Sequence, residues 1–444
     1  MSSLLSDEIL KDVELKKLID EEKQTRLENE FEKNRTITKK ILEILYNRKD
    51  FENFLKLLEY LTQRRSQSRE SIISMIKYCL NEIYQNLTDE NSQVRLLETI
   101  IKVTEGKIFV EFEYSQAIRK MTEIHLKNSK FEEAAKLIQD VQIEAFGSLE
   151  RDYKVDYILF QMKVLLKKED FIRTLIVSNK IHRNHLNDEG FELLKIEFYR
   201  LMIEYFLHEK KYLDVSKSYK ILYDFVKEIK SKLANVENNN KEINPKLIDN
   251  YIKANKSNDL VDLFQNYVLY LSICPPELER KNMLNELKIK YKKELEENKL
   301  IFNIVHNHLS DDIILINDDL LNNYKNYDIF KRKKGELLKL FRKYWIQHNL
   351  SIFGKFFSQV HLKRISEMCL VNIDELESEL ADMVVNDYIF AKINRIEKTV
   401  NFQKKKDHHD VLDELNYDLN TMLKGLENTT HLINKEYLKY GIKQ

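Results

Sequence analysis

Four times along the first half of this chain, a short polar turn is followed by an aromatic residue that opens an apolar stripe at helical spacing. After NRKD comes Phe51, with Phe54, Leu55 and Leu58. After KNSK comes Phe131, with Ala134, Ala135 and Ile138. After KKED comes Phe171, with Thr174, Leu175 and Ser178. After EKK comes Tyr212, with Val215 and Tyr219. Positions i, i+3, i+4 and i+7 share one helix face, so each run reads as the start of an amphipathic helix. The last three aromatics lie about 40 residues apart, Phe51 stands two such steps before Phe131, and Val94 in NSQVRLLETI weakly fills the slot between. A recurring helix–turn–helix unit of this size predicts an α-solenoid, in which each unit buries its face against the next. The aromatic is expected to wedge between paired helices, and Ala134-Ala135 to allow their close approach. An ordinary helical bundle with coincidental spacing would carry the same local faces.

The rest of the composition agrees with an all-α chain. Only 7 glycines and 3 prolines punctuate 444 residues, too few for a fold rich in turns and strands. Apolar residues make up 43%, enough for a long core, and the 73 basic and 73 acidic side chains cancel. No global field steers such a chain toward nucleic acid or an acidic membrane. Cys79, Cys274 and Cys369 are far apart and form no CxxC pair, which fits a reducing compartment and neither a zinc ribbon nor a disulfide framework. Cys79 shares a helical face with Ile73, Ile76 and Ile83 and reads as core. The N-terminal MSSLLSDEILKDVELKK has no basic n-region before an apolar run, so no signal peptide is expected. No apolar run approaches the roughly 20 residues that cross a bilayer. A soluble intracellular protein is expected.

Composition also divides the chain. Residues 1–35, with EEKQTRLENEFEKNR, read as a frayed helix or a charged N-terminal arm, in either case outside the core. Residues 36–335 read as the helical-repeat solenoid, interrupted by an Asn-rich polar loop at 230–258 that contains Pro245. Helix resumes in LVDLFQNYVLYLSIC, stops at Pro275-Pro276, and continues as fragments to the basic run Lys331, Arg332, Lys333 and Lys334. That run is either a solvated turn or a contact for an acidic partner.

Residues 336–403 change character. A helix holding the one tryptophan, Trp345, is followed by VHLKRISEMC, the turn LVN and the helix IDELESELADMVVN. Asp374 is the expected N-cap, with Glu377 three residues on as in a capping box. YIFAKIN and KTVNFQ bracket NRIE, and the alternation of Ile389, Ala391 and Ile393, then Val400 and Phe402, predicts a two-stranded wing. Helix–turn–helix plus hairpin is a winged helix. In DNA-binding versions the second helix enters the major groove. Here that helix carries Asp374, Glu375, Glu377, Glu379 and Asp382 and no Lys or Arg, which repels phosphate rather than binding it. Lys392, Arg395 and Lys398 on the wing could touch nucleic acid without reading it. The module reads better as a protein-docking unit with strand edges to share.

From residue 404 to 444 a last helix is expected. Leu412, Leu415, Leu419, Met422, Leu426 and Ile433 follow a 3-4 spacing broken by Thr429, a heptad-like seam. About 30 helical residues span roughly 45 Å, and burying six such side chains contributes about 9–18 kcal/mol before ordering costs. The seam either packs back on its own domain or joins helices of other chains. Bundling between chains is the reading adopted.

Catalytic chemistry is not apparent. GxxxxGK[ST], GxGxxG, HExxH and GxSxG are all absent from the sequence. His306-Asn307-His308, followed by Asp311 and Asp312, is the nearest metal-like pattern. A deubiquitinase-type metalloprotease site needs a Ser and an Asp at longer spacing, where Ile313, Ile314, Leu315 and Ile316 stand instead. Asp407-His408-His409-Asp410 reads as solvated linker. No cofactor, metal or catalytic residue is expected.

Solenoid, winged helix and terminal helix in that order resemble the PCI-domain proteins. Glu98–Glu111 (ETIIKVTEGKIFVE), 131–148 (FEEAAKLIQDVQIEAFGS), Tyr157–Phe171 (YILFQMKVLLKKEDF) and His348–Phe402 are similar to the family of non-ATPase regulatory subunit 12 of the 26S proteasome lid. In the last stretch HNL, LKRISEM, DELESELADMVV and AKINR…VNF carry the likeness. The resemblance covers most of 36–440 and is weak in 1–35 and 230–335. Ile396 follows Arg395 where the family usually has proline, and Asn386-Asp387 lacks the glycine often seen before the wing. The resemblance implies a non-catalytic scaffold of the lid, cytoplasmic and nuclear, serving ubiquitin-dependent degradation. It implies that PCI modules pack side by side through their sheets, making Ile389, Phe390, Ala391, Lys392, Ile393, Val400 and Phe402 candidate contacts. It implies that Leu412–Ile433 joins a shared helical bundle, and that the N-terminal arm reaches the ATPase ring or core particle. It places the lid deubiquitinase among the neighbours, with no nucleic-acid or membrane partner. A signalosome or initiation-factor subunit would share the architecture; the 98–148 block favours the proteasome.

Overall fold

The computed structural model describes residues 13–236, 259–315, 324, 327–331, 335–403 and 408–440, with 29, 49, 65, 148 and 189 left out. The chain divides into two compact units, Met1–Leu260 and Val261–Gln444. The first unit is a succession of helices: α1 (Val13–Leu27), α2 (Phe31–Asn47), α3 (Phe51–Gln63), α4 (Arg69–Tyr78), α5 (Glu90–Thr104), α6 (Glu111–Lys127), α7 (Phe131–Gln139), α8 (Arg151–Lys167), α9 (Phe171–Ser178), α10 (Glu192–His208) and α11 (Tyr212–Val236). Helix α11 takes the chain through Val236, so the first residues of the expected polar loop are helical; 237–258 lie outside the described residues.

Each aromatic that marks the repeat is the first residue of a helix, and the junctions before Phe131, Phe171 and Tyr212 share one geometry. Ser129, Glu169 and Lys210 adopt left-handed backbone, with φ of 58°, 64° and 59°. In the first junction the Lys130 N–H donates to the His125 carbonyl at 2.9 Å and the Ser129 N–H to Leu126 at 3.2 Å. In the second, Asp170 and Glu169 donate to Leu165 and Leu166, both at 3.0 Å. In the third, Lys211 donates to Phe206 at 3.0 Å. One left-handed residue thus closes a helix by Schellman-type bonds. The next residue offers its carbonyl to the following helix, as Lys130 does to Ala134 and Asp170 to Thr174, each at 3.1 Å.

The aromatics differ in placement: Phe51 and Phe171 are half-buried and pack against the cores of the unit, whereas Phe131 lies at the surface. Phe131 is 36% exposed, whereas Ala134, Ala135 and Ile138 behind it are fully buried. The first residue of a helix sits at the hairpin tip, within reach of solvent. Phe171 instead covers its neighbour, its ring stacked on His208 with centroids 3.4 Å apart.

The charged arm expected over 1–35 is in fact a helix pair from residue 13 onward. Phe31 opens α2, and the Glu30 N–H before it donates to the Thr25 carbonyl at 3.0 Å, the bond that Lys130 and Asp170 also make. Leu15 and Ile19 are buried in the core that α2, α3 and α4 share. Glu22, fully buried, pairs with Arg64 of the α3–α4 turn and with Arg26 at 3.3 Å. A paired buried carboxylate let a charge-rich helix join the core, and that is why composition pointed the wrong way; 1–12 lie outside the described residues.

Helix α4 runs into a π-helical turn, Cys79–Ile83. The Lys120 ammonium donates to the Leu80 carbonyl there at 2.7 Å and lies 4.5 Å from the Tyr84 ring centroid.

The second unit contains α12 (Asp259–Ser272), α13 (Leu278–Lys290), α14 (Lys292–Glu297), α15 (Lys299–Leu309), α16 (Asp328–Lys331) and α17 (Glu336–Phe356). Then follow β1 (Gln359–His361), α18 (Leu362–Cys369), α19 (Ile373–Val385), β2 (Lys392–Asn394), β3 (Thr399–Asn401) and α20 (His408–Tyr440). The strands form an antiparallel sheet in the order β1-β3-β2, with Val400 opposite both Val360 and Ile393. The predicted hairpin is present as β2 and β3, and β1 adds a third strand to its sheet. The missed strand, QVH, is three residues long and abuts α18, so its alternation was too short to separate from the helix.

Trp345 of α17 anchors this unit. Its indole N–H donates to His308 Nε2 at 3.1 Å, and its ring lies 4.6 Å from Phe341 and 5.9 Å from Tyr324. The buried Arg280 guanidinium donates to the Ser272 carbonyl at 3.2 Å and faces the His308 ring at 3.2 Å. The histidine pair considered for zinc is split: His308 is buried in this network and His306 is exposed, since two residues along a helix point about 200° apart. Asp311 pairs with Lys355 at 2.7 Å.

Two measurements follow from these interiors. Non-glycine residues in left-handed backbone cost about 1–2 kcal/mol, and glycine returns part of that as unfolded-chain entropy. Glu169→Gly and Lys210→Gly are each expected to raise the unfolding free energy by ~0.5–1 kcal/mol, read as a higher urea midpoint at unchanged slope; a lowered midpoint contradicts the junction geometry. Burial, then the Arg280 charge, holds His308 well below the usual imidazole range, and the same causes bring His348 down to about 4. Both are neutral when folded and take up a proton near pH 6.5 when unfolded. Stability is therefore held above pH 6.5 and lost as pH falls toward 4, by about 1.4 kcal/mol per pH unit for each imidazole. His348→Gln is expected to remove one proton from that slope in urea titrations between pH 6 and 4.5; an unchanged slope refutes the assignment.

Candidate protein-docking surfaces

Helix α19 occupies the position that enters DNA in nucleic-acid-reading winged helices, and its acids are engaged within its own module. Arg342 of α17 reaches Glu375 at 3.2 Å, and Lys343 reaches Asp382 at 2.6 Å and Glu379 at 3.5 Å. Gln347 donates to Glu379 at 3.0 Å, and Arg395 of the wing reaches Glu377 at 2.6 Å. Burial, against the hydrogen bond from Gln347 and the Lys343 charge, leaves the Glu379 carboxyl above its ordinary range. Leu376, Leu380 and Met383 are buried on the inner face. The helix is clamped to α17 and the wing by charge and packing. Its N-cap is Asn372, not Asp374, and no side chain caps it; Asp374 lies in the first turn, where its carboxylate favours the helix dipole.

The wing residues divide into core and surface. Ala391, Val400 and Phe402 are buried, so their side chains hold the module together and are not available as contacts. Because β3 is the middle strand, Val400 also has no free backbone edge. Ile389 precedes β2 and is half-buried over Gly354, where an added Cβ would meet its Cδ1 at 3.0 Å and Phe402 at 3.5 Å. A side chain at 354 would have to shift Ile389 by a few tenths of an ångström. The exposed set is Phe390, Lys392 above its ring at 5.9 Å, and the outer backbone of β2, with Ile393 half-buried beside them. Sequence reading missed Phe356 and Phe357 at the end of α17 and Ile396 at the wing tip, all exposed. Their signal was an apolar residue inside a turn or at a helix end. Asn394 Oδ1 accepts the Ile396 and Glu397 N–H groups at 3.2 and 3.4 Å, an Asx turn that shapes the tip without proline. Asp387, where the family often has glycine, is left-handed with φ 56°.

Helix α20 is continuous over 33 residues, about 50 Å long. Thr429 does not interrupt it; its hydroxyl donates to the Gly425 carbonyl at 2.8 Å. Leu412, Leu415, Leu419, Met422, Leu426 and Ile433 all lie on it and all are exposed, between 47% and 67%. Leu423 and Tyr437 widen the stripe and are exposed too, while Leu432 and Leu438 are exposed on other faces of the helix. An apolar stripe this long on a single helix is unusual on a monomer and marks an interaction surface.

No group suited to nucleophilic or metal chemistry emerges among the described residues. The three cysteines form no disulfide and are buried, with burial pushing the thiols of Cys79 and Cys369 up to about 12 and about 11. No three His, Cys, Asp or Glu side chains converge to hold a metal. No described helix is long and apolar enough to cross a membrane. A cleft of about 330 Å³ in the first unit is lined by Lys107, Ile108 and Tyr114 and by Asp140, Val141 and Phe146. It joins the two blocks ETIIKVTEGKIFVE and FEEAAKLIQDVQIEAFGS that carried the resemblance.

Known proteins match along nearly the whole chain. The family model described as PSMD12/CSN4, N-terminal, matches residues 14–232, and the PCI domain model matches 303–404. The 26S proteasome regulatory subunit RPN5 of Saccharomyces cerevisiae is 28% identical over 425 residues, covering 95% of this chain and 90% of the relative. The 26S proteasome non-ATPase regulatory subunit 12 homolog A of Arabidopsis thaliana is 27% identical, covering 95% of each chain. The subunit 12 of Dictyostelium discoideum is 26% identical, covering 96% of this chain and 90% of its own. With a helical N-terminal unit, a PCI module and end-to-end likeness to these proteins, the chain belongs to the family of 26S proteasome non-ATPase regulatory subunit 12 and RPN5.

Proposed function

We propose that this chain is a non-catalytic scaffold subunit of the proteasome regulatory-particle lid, acting in ubiquitin-dependent degradation through protein contacts alone. The observation that carries the reading is α20, a helix with an exposed leucine-rich stripe along its whole length. Such a stripe gains free energy only by joining other helices. The β2 edge with Phe390 and Lys392 is the second contact, suited to a neighbouring PCI module, since an open strand edge invites pairing. The partners are the other PCI subunits of the lid, its deubiquitinase, the ATPase ring and the core particle, and the compartments are cytoplasm and nucleus. The helices of residues 13–27 and 31–47 belong to the folded first unit, so any reach toward the ATPase ring or core particle starts from a rigid body.

The N-terminal family model also spans CSN4, which keeps a signalosome subunit as the second reading. The end-to-end relatives named above are proteasome subunits, and they favour the first. Affinity isolation of the tagged chain from native lysate is expected to recover proteasome ATPases and lid subunits; recovery of signalosome components alone selects the second reading. Truncation after residue 407 is expected to abolish incorporation into the lid while leaving the circular dichroism melt of the first unit unchanged. Normal incorporation of the truncated chain rejects the bundling role of α20.

A further inference from the structure

Helix α9 is built inside out. Its buried face carries Thr174 and Ser178, while Ile172, Leu175 and Ile176 face solvent, with Ile172 at 78% and Ile176 at 56%. The two hydroxyls tolerate burial because each donates to its own helix, Thr174 to the Asp170 carbonyl and Ser178 to Leu175, both at 2.8 Å. Ile176 borders a groove of about 250 Å³ between α7, α8 and α9, whose lining includes Ile138, Leu165 and Val177. Two buried amide atoms of residues lining this groove have no hydrogen-bond partner among the described residues: the acceptor Gln161 Oε1 and the donor Gln139 Nε2. The Gln161 amide nitrogen is already committed to the Ile138 and Val141 carbonyls at 2.9 and 3.0 Å, and Gln139 Oε1 accepts from Arg173. The cations at the rim are also committed, Arg173 to Asp170 at 3.6 Å and Lys180 to Glu144 at 2.7 Å.

Apolar walls, one orphan acceptor, one orphan donor and neutralised rim charges together describe an occupant. A buried polar atom left unpaired is costly, and a peptide group satisfies one donor and one acceptor at once. We infer that the α7–α8–α9 groove docks an extended, uncharged segment of another polypeptide, which inserts a branched aliphatic side chain beside Ile172 and Ile176 and turns its backbone amide to Gln161 and Gln139. This inference rests on the scaffold reading, because the segment belongs to a subunit of the same particle. It concerns a surface separate from α20 and the wing.

The three native cysteines are buried, so an introduced Ile172→Cys is the reactive thiol of the full chain. Its maleimide labelling is expected to slow by about tenfold or more when the chain passes from the free state into the assembled particle. Equal rates in the two states overturn the proposal. Ile176→Asp and Ile176→Lys, each added to the reporter, are both expected to return labelling in the particle to the free-chain rate, or to exclude the chain from the particle. In either case the melting temperature of the free chain stays at that of the parent. Protection that survives Ile176→Lys but not Ile176→Asp shows an acidic occupant and rejects the uncharged one. A reporter chain that never leaves the monomer fraction refutes the scaffold reading, and this proposal with it; a chain that assembles yet labels at the free rate refutes only this proposal.

Discussion

A short helix with one apolar stripe cannot bury that stripe alone, so every helix of the first unit depends on the next one arriving antiparallel and close. At three connections a left-handed junction delivers it. At Ser129, Glu169 and Lys210 a single residue reverses the chain and caps the outgoing helix, and its successor caps the incoming one. No room remains for a floppy loop, and the register between paired helices is fixed to within a residue. Fully buried Ala134 and Ala135, and Leu57, Leu58 and Leu61 of α3, lie at the contacts that this register creates. A shift of one residue would rotate each stripe by about 100° and put these side chains into water.

The second unit solves a different problem with a different device. Its helices are less regular, and its centre holds polar groups: Arg280, His308, Asn349 and the Trp345 indole. Each is tied to a backbone or ring partner. Asn349 donates to the Ile314 carbonyl at 2.8 Å and accepts its N–H at 2.9 Å. Such a network costs more than an apolar core if any member is misplaced, which makes it a means of specifying one arrangement of α12, α13, α15 and α17. The acidic side chains of α19 are handled the same way. Glu375, Asp382 and Glu377 are turned against Arg342, Lys343 and Arg395, leaving the strand edge and the terminal helix as the module's outward surfaces.

Much of this was legible in the sequence, for identifiable reasons. The helix starts at Phe51, Phe131, Phe171 and Tyr212 were readable because a junction needs a polar turn and then a committed helix. Phe31 announces the same junction but was lost in a run of charge, because pattern reading treats a buried Glu22 as impossible until its partner Arg64, 42 residues away, is known. The wing was legible as alternation, yet alternation does not say which face is inward. Val400 and Phe402 proved to be core because Gly354 brings α17 against that side of the sheet. The seam of α20 was legible in full, since a 3-4 spacing requires only that the helix exist. The inverted face of α9 was not, because FIRTLIVS is apolar nearly throughout and only neighbouring helices decide that Thr174 and Ser178 point in.

The exposed surfaces differ in what supports them. Helix α9 and the β2 edge sit on packed units and keep their shape with or without a partner. Helix α20 has no tertiary packing along its described length, and an isolated helix in water is only marginally stable because propensity and side-chain pairs supply little per turn. Lys439 with Glu436 at 3.8 Å is a fully exposed surface pair of slight worth. Its stability must then come largely from burying the leucine stripe, at about 1.5–3 kcal/mol gross per side chain. On the proposed bundling role, folding of the terminal helix and entry into a bundle are one thermodynamic event, whereas the solenoid and the winged helix are prepared beforehand. Preformed edges can select the neighbour, and the terminal helix can then make its retention strong.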